Sequence, residues 1–186
     1  NGNDGTVNGA TPAPDRNGDT ESAYSFDGSS AITATGVGLA GTYTVAVWFN
    51  SNDQEGFYNT ILGLRKPDTN GVYLSLMHSS ANNLRYINRN QGGEGGGTNI
   101  YSDQNLHDGI WHHAVCVKST NAVELYVDGL KITGAVELEA DPQRIADLQI
   151  GYNVFPEGQG SRTYDGSIDD IRIYNRALSD QEVTDL

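Results

Sequence analysis

Two runs of β-branched and aromatic residues, at residues 108–117 and 123–129, constrain the fold of this chain more than any other feature. A short polar segment joins the runs, and an Asp-Gly pair ends the second one. This pattern predicts a β-hairpin. Val115 and Val117 share one face of the first strand, whereas His112 lies on the opposite face. We expect the valine face to be core and the other face to be a candidate working surface.

Several motifs, taken in chain order, carry a family resemblance. They are DGIWHHAVCVK with VELYVDG, then LQIGYN, then YDGSIDDIRIYNRALSDQEVTDL. In this order they resemble the laminin G-like modules of the concanavalin A-like lectin and glucanase superfamily, in the form found in bacterial secreted proteins. The resemblance runs over residues 1–186. It implies an all-β fold, an antiparallel β-sandwich of jelly-roll type, in a secreted or cell-surface protein.

The N-terminal end departs from the family pattern. Family members usually open with a strand ahead of a segment like residues 1–5, and this chain begins at that segment. Either the first strand has been removed or another chain supplies it, and a sandwich without it would expose a sheet edge open to pairing. Residues 1–22 lack periodicity and are rich in turn-forming residues, which predicts an irregular lead-in.

Length and composition favour one domain. The chain has 186 residues, and its 23 Gly and 10 Tyr are typical of strands and turns. It contains no internal repeat or linker, so residues 1–186 are predicted to form a single domain. No run of about 18 apolar residues occurs, so no membrane-spanning segment is expected. Near the end, Ser179 and Glu182 form a capping-box pattern that predicts one short helix over residues 180–186.

The charge balance narrows the classes of partner. The formal net charge is −13, from 24 Asp and Glu against 11 Lys and Arg. Such a surface repels phosphate backbones, so nucleic acid is not an expected partner. It suits Ca²⁺, which prefers carboxylate and carbonyl oxygens. The one cysteine, Cys116, alternates with valines and is expected to be a buried side chain.

Asp169 is the candidate metal ligand. It has the parity of Ile171 and Ile173, so its carboxylate is predicted to point between the sheets, where a charge needs a partner. Laminarinase-type glucanases of the resembled superfamily hold a structural calcium with a similar final-strand acid and an early turn. The resemblance therefore implies Ca²⁺ bound by Asp169 and by the carbonyls of Asp27 and Gly28. The alternative is a salt bridge from Asp169 to an arginine, or a cap on backbone N–H groups.

The sequence predicts no catalytic residues. Glucanases of the resembled superfamily carry Glu-x-Asp-x-x-Glu on one strand face, and the nearest stretches, residues 137–141 and 168–170, do not match that spacing. His112 and His113 are adjacent on a predicted strand, so they lie on opposite faces and cannot chelate one metal together. We therefore expect a domain that is not an enzyme by itself.

Aromatic and polar side chains that project away from the predicted core form the candidate binding face, because sugar rings stack on aromatic rings and polar groups take their hydroxyls. These residues are Trp48, Tyr73, Arg85, His112 and Tyr126. A second set lies in predicted loops and could form a rim at one end: Tyr58, Tyr101, Tyr152, Phe155 and Tyr164. Ordinary packing is the alternative for every residue in both sets.

Together these observations predict a non-catalytic carbohydrate-binding or adhesion module with a structural calcium. The ligand class comes from the resemblance. A protein–protein interaction module that uses the loop rim is the first alternative, and a polysaccharide lyase or hydrolase with an unfamiliar site is the second. The excess of acidic residues disfavours an anionic polysaccharide, unless Arg85, Arg89 and Arg162 cluster in the folded chain.

Overall fold

The computed structural model describes residues 4–51, 59–67, 71–79, 83–89, 97–136, 144–154 and 161–186. Within these residues the chain forms sixteen strands and one helix. They are β1 (Thr6–Asn8), β2 (Thr11–Ala13), β3 (Ala23–Asp27), β4 (Ala31–Leu39), β5 (Tyr43–Asn50), β6 (Thr60–Arg65), β7 (Val72–His78), β8 (Leu84–Asn88), β9 (Thr98–Tyr101), β10 (Trp111–Lys118), β11 (Ala122–Val127), β12 (Leu130–Val136), β13 (Arg144–Ile150), β14 (Tyr152–Val154), β15 (Ser161–Thr163), β16 (Asp165–Tyr174) and α1 (Asp180–Thr184).

Two seven-stranded antiparallel sheets make the sandwich. The first sheet has the order β1-β4-β13-β6-β7-β8-β9, and the second has the order β12-β11-β10-β5-β16-β3-β2. Strands β14 and β15 pair with each other as a separate hairpin. The predicted all-β antiparallel sandwich with one short C-terminal helix is confirmed. The single described helix is too short to cross a membrane.

The central hairpin forms as predicted, but its two faces are the reverse of the prediction. Ala114 and Cys116 of β10 enter the main core between the sheets. Val115 and Val117 lie on the outer face, where Val183 of α1 packs near them in a second apolar cluster. Both faces of β10 are apolar because one meets the other sheet and the other meets the helix. The alternation of side chains in the sequence cannot show which face packs against the other sheet and which packs against the helix.

The C-terminal helix is held by the predicted capping box. Ser179 Oγ accepts from the backbone N–H of Glu182, and the Glu182 carboxylate accepts from the Ser179 backbone N–H at 2.9 Å. Arg176 donates two hydrogen bonds to the same carboxylate, at 2.7 and 2.9 Å. These bonds, led by those from Arg176, lower the pKa of Glu182 to about 2. The helix is thereby fixed over the outer face of the second sheet.

The N-terminal segment is more ordered than the predicted lead-in. Strand β1 pairs with β4 and strand β2 pairs with β3, so each forms one edge of a sheet. An apolar cleft of about 420 Å³ lies between the sheets on this side, and Ile150, Ile171 and Ile173 line it.

The turn after β2 is closed by Asp15, whose Oδ1 accepts from the backbone N–H groups of Asn17 and Asp19. Arg16 sits in this turn.

Candidate functional site

Strand β8 carries charged side chains on the outer face of the first sheet. Leu84 and Tyr86 point into the main core, so Arg85 and Arg89 project from the opposite face. On the neighbouring strand β9, Tyr101 lies directly opposite Arg85. Together with Asn99 and Arg162, these side chains form a surface that we call the arginine face: Arg85, Arg89, Asn99, Tyr101 and Arg162.

Two guanidinium groups of the arginine face converge on one amide oxygen. Arg85 Nη2 and Arg89 Nη2 both donate to Asn99 Oδ1, at 3.1 and 3.2 Å. The guanidinium carbon of Arg85 lies 5.5 Å from the ring centroid of Tyr101, which is 47% exposed. Burial and the nearby charge of Arg85 lower the pKa of Arg89. The arrangement combines two closely spaced cations with an exposed aromatic ring.

The β14–β15 hairpin brings a third arginine to this surface. Arg162 Nη1 donates to Met77 Sδ at 3.3 Å, and Met77 lies directly opposite Arg85 in the sheet. The hairpin can approach the sheet because residue 63 is glycine: a Cβ there would lie 2.5 Å from Asn153 Nδ2. The fully buried Asn153 in turn donates to Ser75 Oγ at 3.5 Å. The hairpin therefore packs over β6 and contacts β7 through Ser75 and Met77.

Trp48 lies on the outer face of the second sheet, as predicted, with Val45 and Val47 pointing into the main core. Its ring stacks on His113 of β10, with centroids 4.8 Å apart and an interplanar angle of 16°. On the β16 side, the guanidinium of Arg16 lies 4.7 Å from the Trp48 ring centroid. His113 from β10 and Arg16 from the turn after β2 thus occupy the space beside the ring that a stacked sugar would need. Its edge lines a cleft of about 370 Å³ next to α1.

The predicted orientation of Asp169 is wrong because β16 contains a bulge. The register shifts between Asp169 and Arg172, and Asp170 has a φ of +47°. Asp169 therefore lies opposite Trp48 on the outer face of the second sheet, while Ile171 packs against the main core. Because the bulge adds one residue to β16, Asp169 points to the face opposite that of Ile171 and Ile173.

An arginine is the partner of Asp169. Arg16 Nη1 lies 2.8 Å from Asp169 Oδ2, and Arg16 Nη2 lies 2.9 Å from Asp170 Oδ2. Burial raises the pKa of Asp169, and the positive charge of Arg16 acts in the opposite direction. The salt bridge that the sequence left open as an alternative is therefore the one that forms.

The described residues do not fit the calcium site that the resemblance implies. Asp27 lies opposite Asp165 in the sheet, four residues before Asp169 along β16, which is about 13 Å at the rise of a strand. The carboxylate of Asp27 accepts from the Ser29 backbone and hydroxyl, which lowers its pKa, and Gly28 donates its N–H to the Tyr164 carbonyl. At this separation one ion could not contact both the Asp169 carboxylate and the carbonyls of Asp27 and Gly28. Calcium binding by this chain stays a prediction.

The remaining candidate binding residues are buried rather than offered to solvent. Tyr73 packs in the main core, because the register shift between Leu64 and Arg65 reverses its parity. Tyr126 is 2% exposed beneath α1, and its hydroxyl donates to Asp180 Oδ1 at 2.8 Å. The structure thus separates the five predicted binding residues, and Arg85 is the one that belongs to the arginine face.

His112 is also buried, with 6% exposure. Its Nδ1 lies 2.8 Å from Asp128 Oδ2, and its Nε2 lies 3.2 Å from Asp108 Oδ1. Asp128 also accepts from the His113 backbone N–H at 2.8 Å. These contacts connect β10 to the turn after β11 and to the segment before β10. The geometry indicates a structural role for His112.

The predicted loop rim is not a single surface in the described residues. Tyr101 is a strand residue of the arginine face, and Tyr164 is fully buried, with its hydroxyl donating to the Asn50 carbonyl at 2.9 Å. Tyr152 lies in β14. Tyr58 and Phe155, like the acidic stretch 137–141, lie outside the described residues.

The fold brings together two histidines that their sequence positions do not connect. His78 and His107 are buried, and their ring centroids lie 3.7 Å apart. Among the described residues, no group of three or more His, Cys, Asp or Glu side chains could hold a metal ion. The candidate functional site is the arginine face, because it combines an exposed aromatic ring with several hydrogen-bond donors.

The fold is an antiparallel β-sandwich of the concanavalin A-like type. A sequence model of Laminin_G_3, described as the concanavalin A-like lectin/glucanases superfamily, matches residues 26–184. The chain belongs to this family. None of the curated protein sequences is significantly similar to the chain.

Solved structures share the fold at low identity. The binding domain of Paraclostridial Mosquitocidal Protein 1 has 16% identity and a TM-score of 0.74, over 98% of this chain and 46% of that one. Domain 4 of AbnA, a GH43 extracellular arabinanase from Geobacillus stearothermophilus, in complex with arabinotriose, has 20% identity and a TM-score of 0.67, over 97% and 86%. The binding domain of botulinum neurotoxin DC, in complex with rat synaptotagmin II, has 13% identity and a TM-score of 0.71, over 98% and 46%. The chain thus spans about half the length of these toxin domains.

Proposed function

We propose that this chain is a non-catalytic carbohydrate-binding module and that its ligand lies across β8 and β9 on the arginine face. The observation that carries the proposal is the exposed ring of Tyr101 beside Arg85, with Asn99 and Arg89 adjacent. An aromatic ring provides a stacking surface for a sugar, and amide and guanidinium groups bind its oxygens. The β14–β15 hairpin limits the ligand on one side.

The fold relatives support this proposal. Domain 4 of the arabinanase AbnA was solved with arabinotriose, and the matched part of the mosquitocidal protein is itself a binding domain. The arabinanase is extracellular, which supports a secreted or cell-surface setting for this chain as well. These properties belong to the relatives, and we propose them for this chain.

The chemistry of the arginine face supports binding without catalysis. Its members are guanidinium, amide and phenol groups. Glycoside hydrolysis by the usual mechanisms needs two carboxyl groups on either side of the scissile bond. Such a pair does not occur among the residues that define this face. These residues therefore do not supply the groups for glycoside hydrolysis by those mechanisms.

A protein partner is the second candidate. Ile110 and Leu130 are 57% and 66% exposed, and the contacts of His112 with Asp108 and Asp128 hold their two segments together. Exposed apolar side chains that lie near one another favour contact with a protein. The toxin domain solved with synaptotagmin II supports this candidate too.

A glycan and polysaccharide binding screen of the 186-residue chain tests the proposed function. Tyr101→Ala should weaken binding of the identified ligand by roughly tenfold, because the stacking surface is lost. Tyr24→Ala is the matched control, since Tyr24 is a 38% exposed tyrosine on the other sheet. Failure to bind any glycan, or equal effects of the two variants, would contradict the proposal.

A further inference from the structure

Three arginines from two segments, the β8 segment and the β14–β15 hairpin, lie on one part of the first sheet. Arg85 and Arg89 flank Asn99 through the shared oxygen, and Arg162 approaches from the hairpin through Met77. The whole chain has 11 Lys and Arg against 24 Asp and Glu. A concentration of three guanidinium groups is therefore unusual on this molecule. Arg85 and Arg89 thus share one acceptor, and Arg162 contacts the residue that pairs with Arg85 in the sheet.

The contacts also fix how the guanidinium groups are presented. Asn99 Oδ1 accepts one N–H from Arg85 and one from Arg89, while Arg89 Nη1 donates to the carbonyls of Asn88 and Thr98 at 3.1 and 3.4 Å. A guanidinium is a planar fork of donors that matches a carboxylate or sulfate group. A neutral hydroxyl cannot make this charge-assisted contact through two oxygens.

We propose that the glycan bound by the arginine face is anionic, with a carboxylate or sulfate group held by Arg85, Arg89 and Arg162 while its ring lies on Tyr101. This inference rests on the proposed function, because it names the class of sugar for the same surface. Carboxylate and sulfate offer the guanidinium fork similar pairs of oxygens, so the chemistry is shared by uronate-containing and sulfated glycans.

The net charge of the chain makes such binding selective. A molecule with a formal charge of −13 repels polyanions over distances up to the Debye length, about 8 Å at physiological salt. Non-specific attraction of the kind that basic proteins show is therefore absent. Binding of an acidic glycan by this chain requires a local, oriented site.

Matched pairs of polysaccharides test the inference. The 186-residue chain is titrated with polygalacturonate and its carboxyl-reduced form, and with a sulfated galactan and its desulfated form. We expect at least one anionic member to bind about tenfold more tightly than its neutral partner, as charge-assisted hydrogen bonds predict. Preference within the first pair identifies carboxylate, and preference within the second identifies sulfate. Equal binding of charged and neutral members overturns the inference but leaves the proposed function standing, whereas binding of no polysaccharide or glycan overturns both.

Substitutions locate the effect. Arg85→Gln and Arg162→Gln should each weaken binding of the preferred anionic member about tenfold and bring its affinity toward that of the neutral partner. Arg172→Gln is the matched control, because Arg172 lies on the second sheet in an ion pair with Asp170. Arg162→Lys keeps the charge without the fork and should retain part of the preference, which guards against a folding defect in the glutamine variants. If the two glutamine variants behave like the control, the inference is wrong.

Discussion

Arg16 and Asp169 form an ion pair, 2.8 Å from Nη1 to Oδ2, that joins the N-terminal turn to the last strand of the sandwich. The side chain of Asp169 is 9% exposed and that of Arg16 is 25% exposed. The same guanidinium lies over Trp48. One arginine therefore compensates a nearly buried carboxylate, contacts the bulge at Asp170 and covers an aromatic ring.

Arg16→Met should destabilise the protein by about 2–3 kcal/mol, because removal of one partner leaves a largely buried charge uncompensated. Methionine keeps an apolar chain of similar reach near Trp48, so the loss reports mainly on charge. Urea unfolding of the two proteins measures the difference. Asp169→Asn in the Arg16→Met background should restore part of the stability, since the uncompensated charge is then removed as well. No change on Arg16→Met would show that the ion pair contributes nothing measurable.

Chelation tests the calcium prediction against the geometry. Because Arg16 already compensates Asp169, and Asp27 is too distant to share an ion with it, we expect EDTA to leave the melting temperature unchanged. A ligand that binds only the folded state raises the melting temperature, so bound calcium would be detected as a fall in the presence of EDTA. Such a fall, reversed by added Ca²⁺, would establish a calcium site built from other ligands.

The alternation of apolar residues was sufficient to predict the sandwich, because the pattern of period two is set by the burial of one strand face. It does not give the orientation where a bulge inserts a residue, nor on β10, where both faces are covered. Asp170 adopts a positive φ without being glycine, and the register shift beside Arg65 moves Tyr73 into the core. Neither irregularity has a local sequence signature, and each reverses the predicted orientation of a candidate site residue.

The site itself was predictable only in part. The sequence marks Arg85 as a candidate, but its pairing with Tyr101 depends on strand β9, which follows a Gly-rich segment and whose sequence predicts a loop. The contribution of Arg162 depends on how the β14–β15 hairpin folds over Gly63. Contacts between elements distant in sequence are decided by the packed structure, and one sequence does not reveal them.

Gly63→Ala should destabilise the protein by about 1–3 kcal/mol and weaken glycan binding, because the added methyl group would push Asn153 and the β14–β15 hairpin away from the sheet. Thermal unfolding and titration with the identified ligand measure the two effects. Gly38→Ala is the control, since a Cβ at that exposed strand position meets nothing within 4 Å. Loss of stability without loss of binding would show that the hairpin is not part of the site.

His113 should make stability fall as the pH is lowered from about 6.5 to 4. Burial lowers the pKa of His113 from 6.5 to about 4, and the carboxylate of Asp128 opposes this shift. Between these values the unfolded chain takes up a proton that the folded chain does not, so the free energy of unfolding decreases by up to about 3 kcal/mol. His113→Phe keeps an aromatic ring against Trp48 and removes the titration. Denaturant unfolding at several pH values should show a smaller decrease for the variant across this window, and parallel curves for the two proteins would mean that His113 is protonated in the folded state at its ordinary pKa.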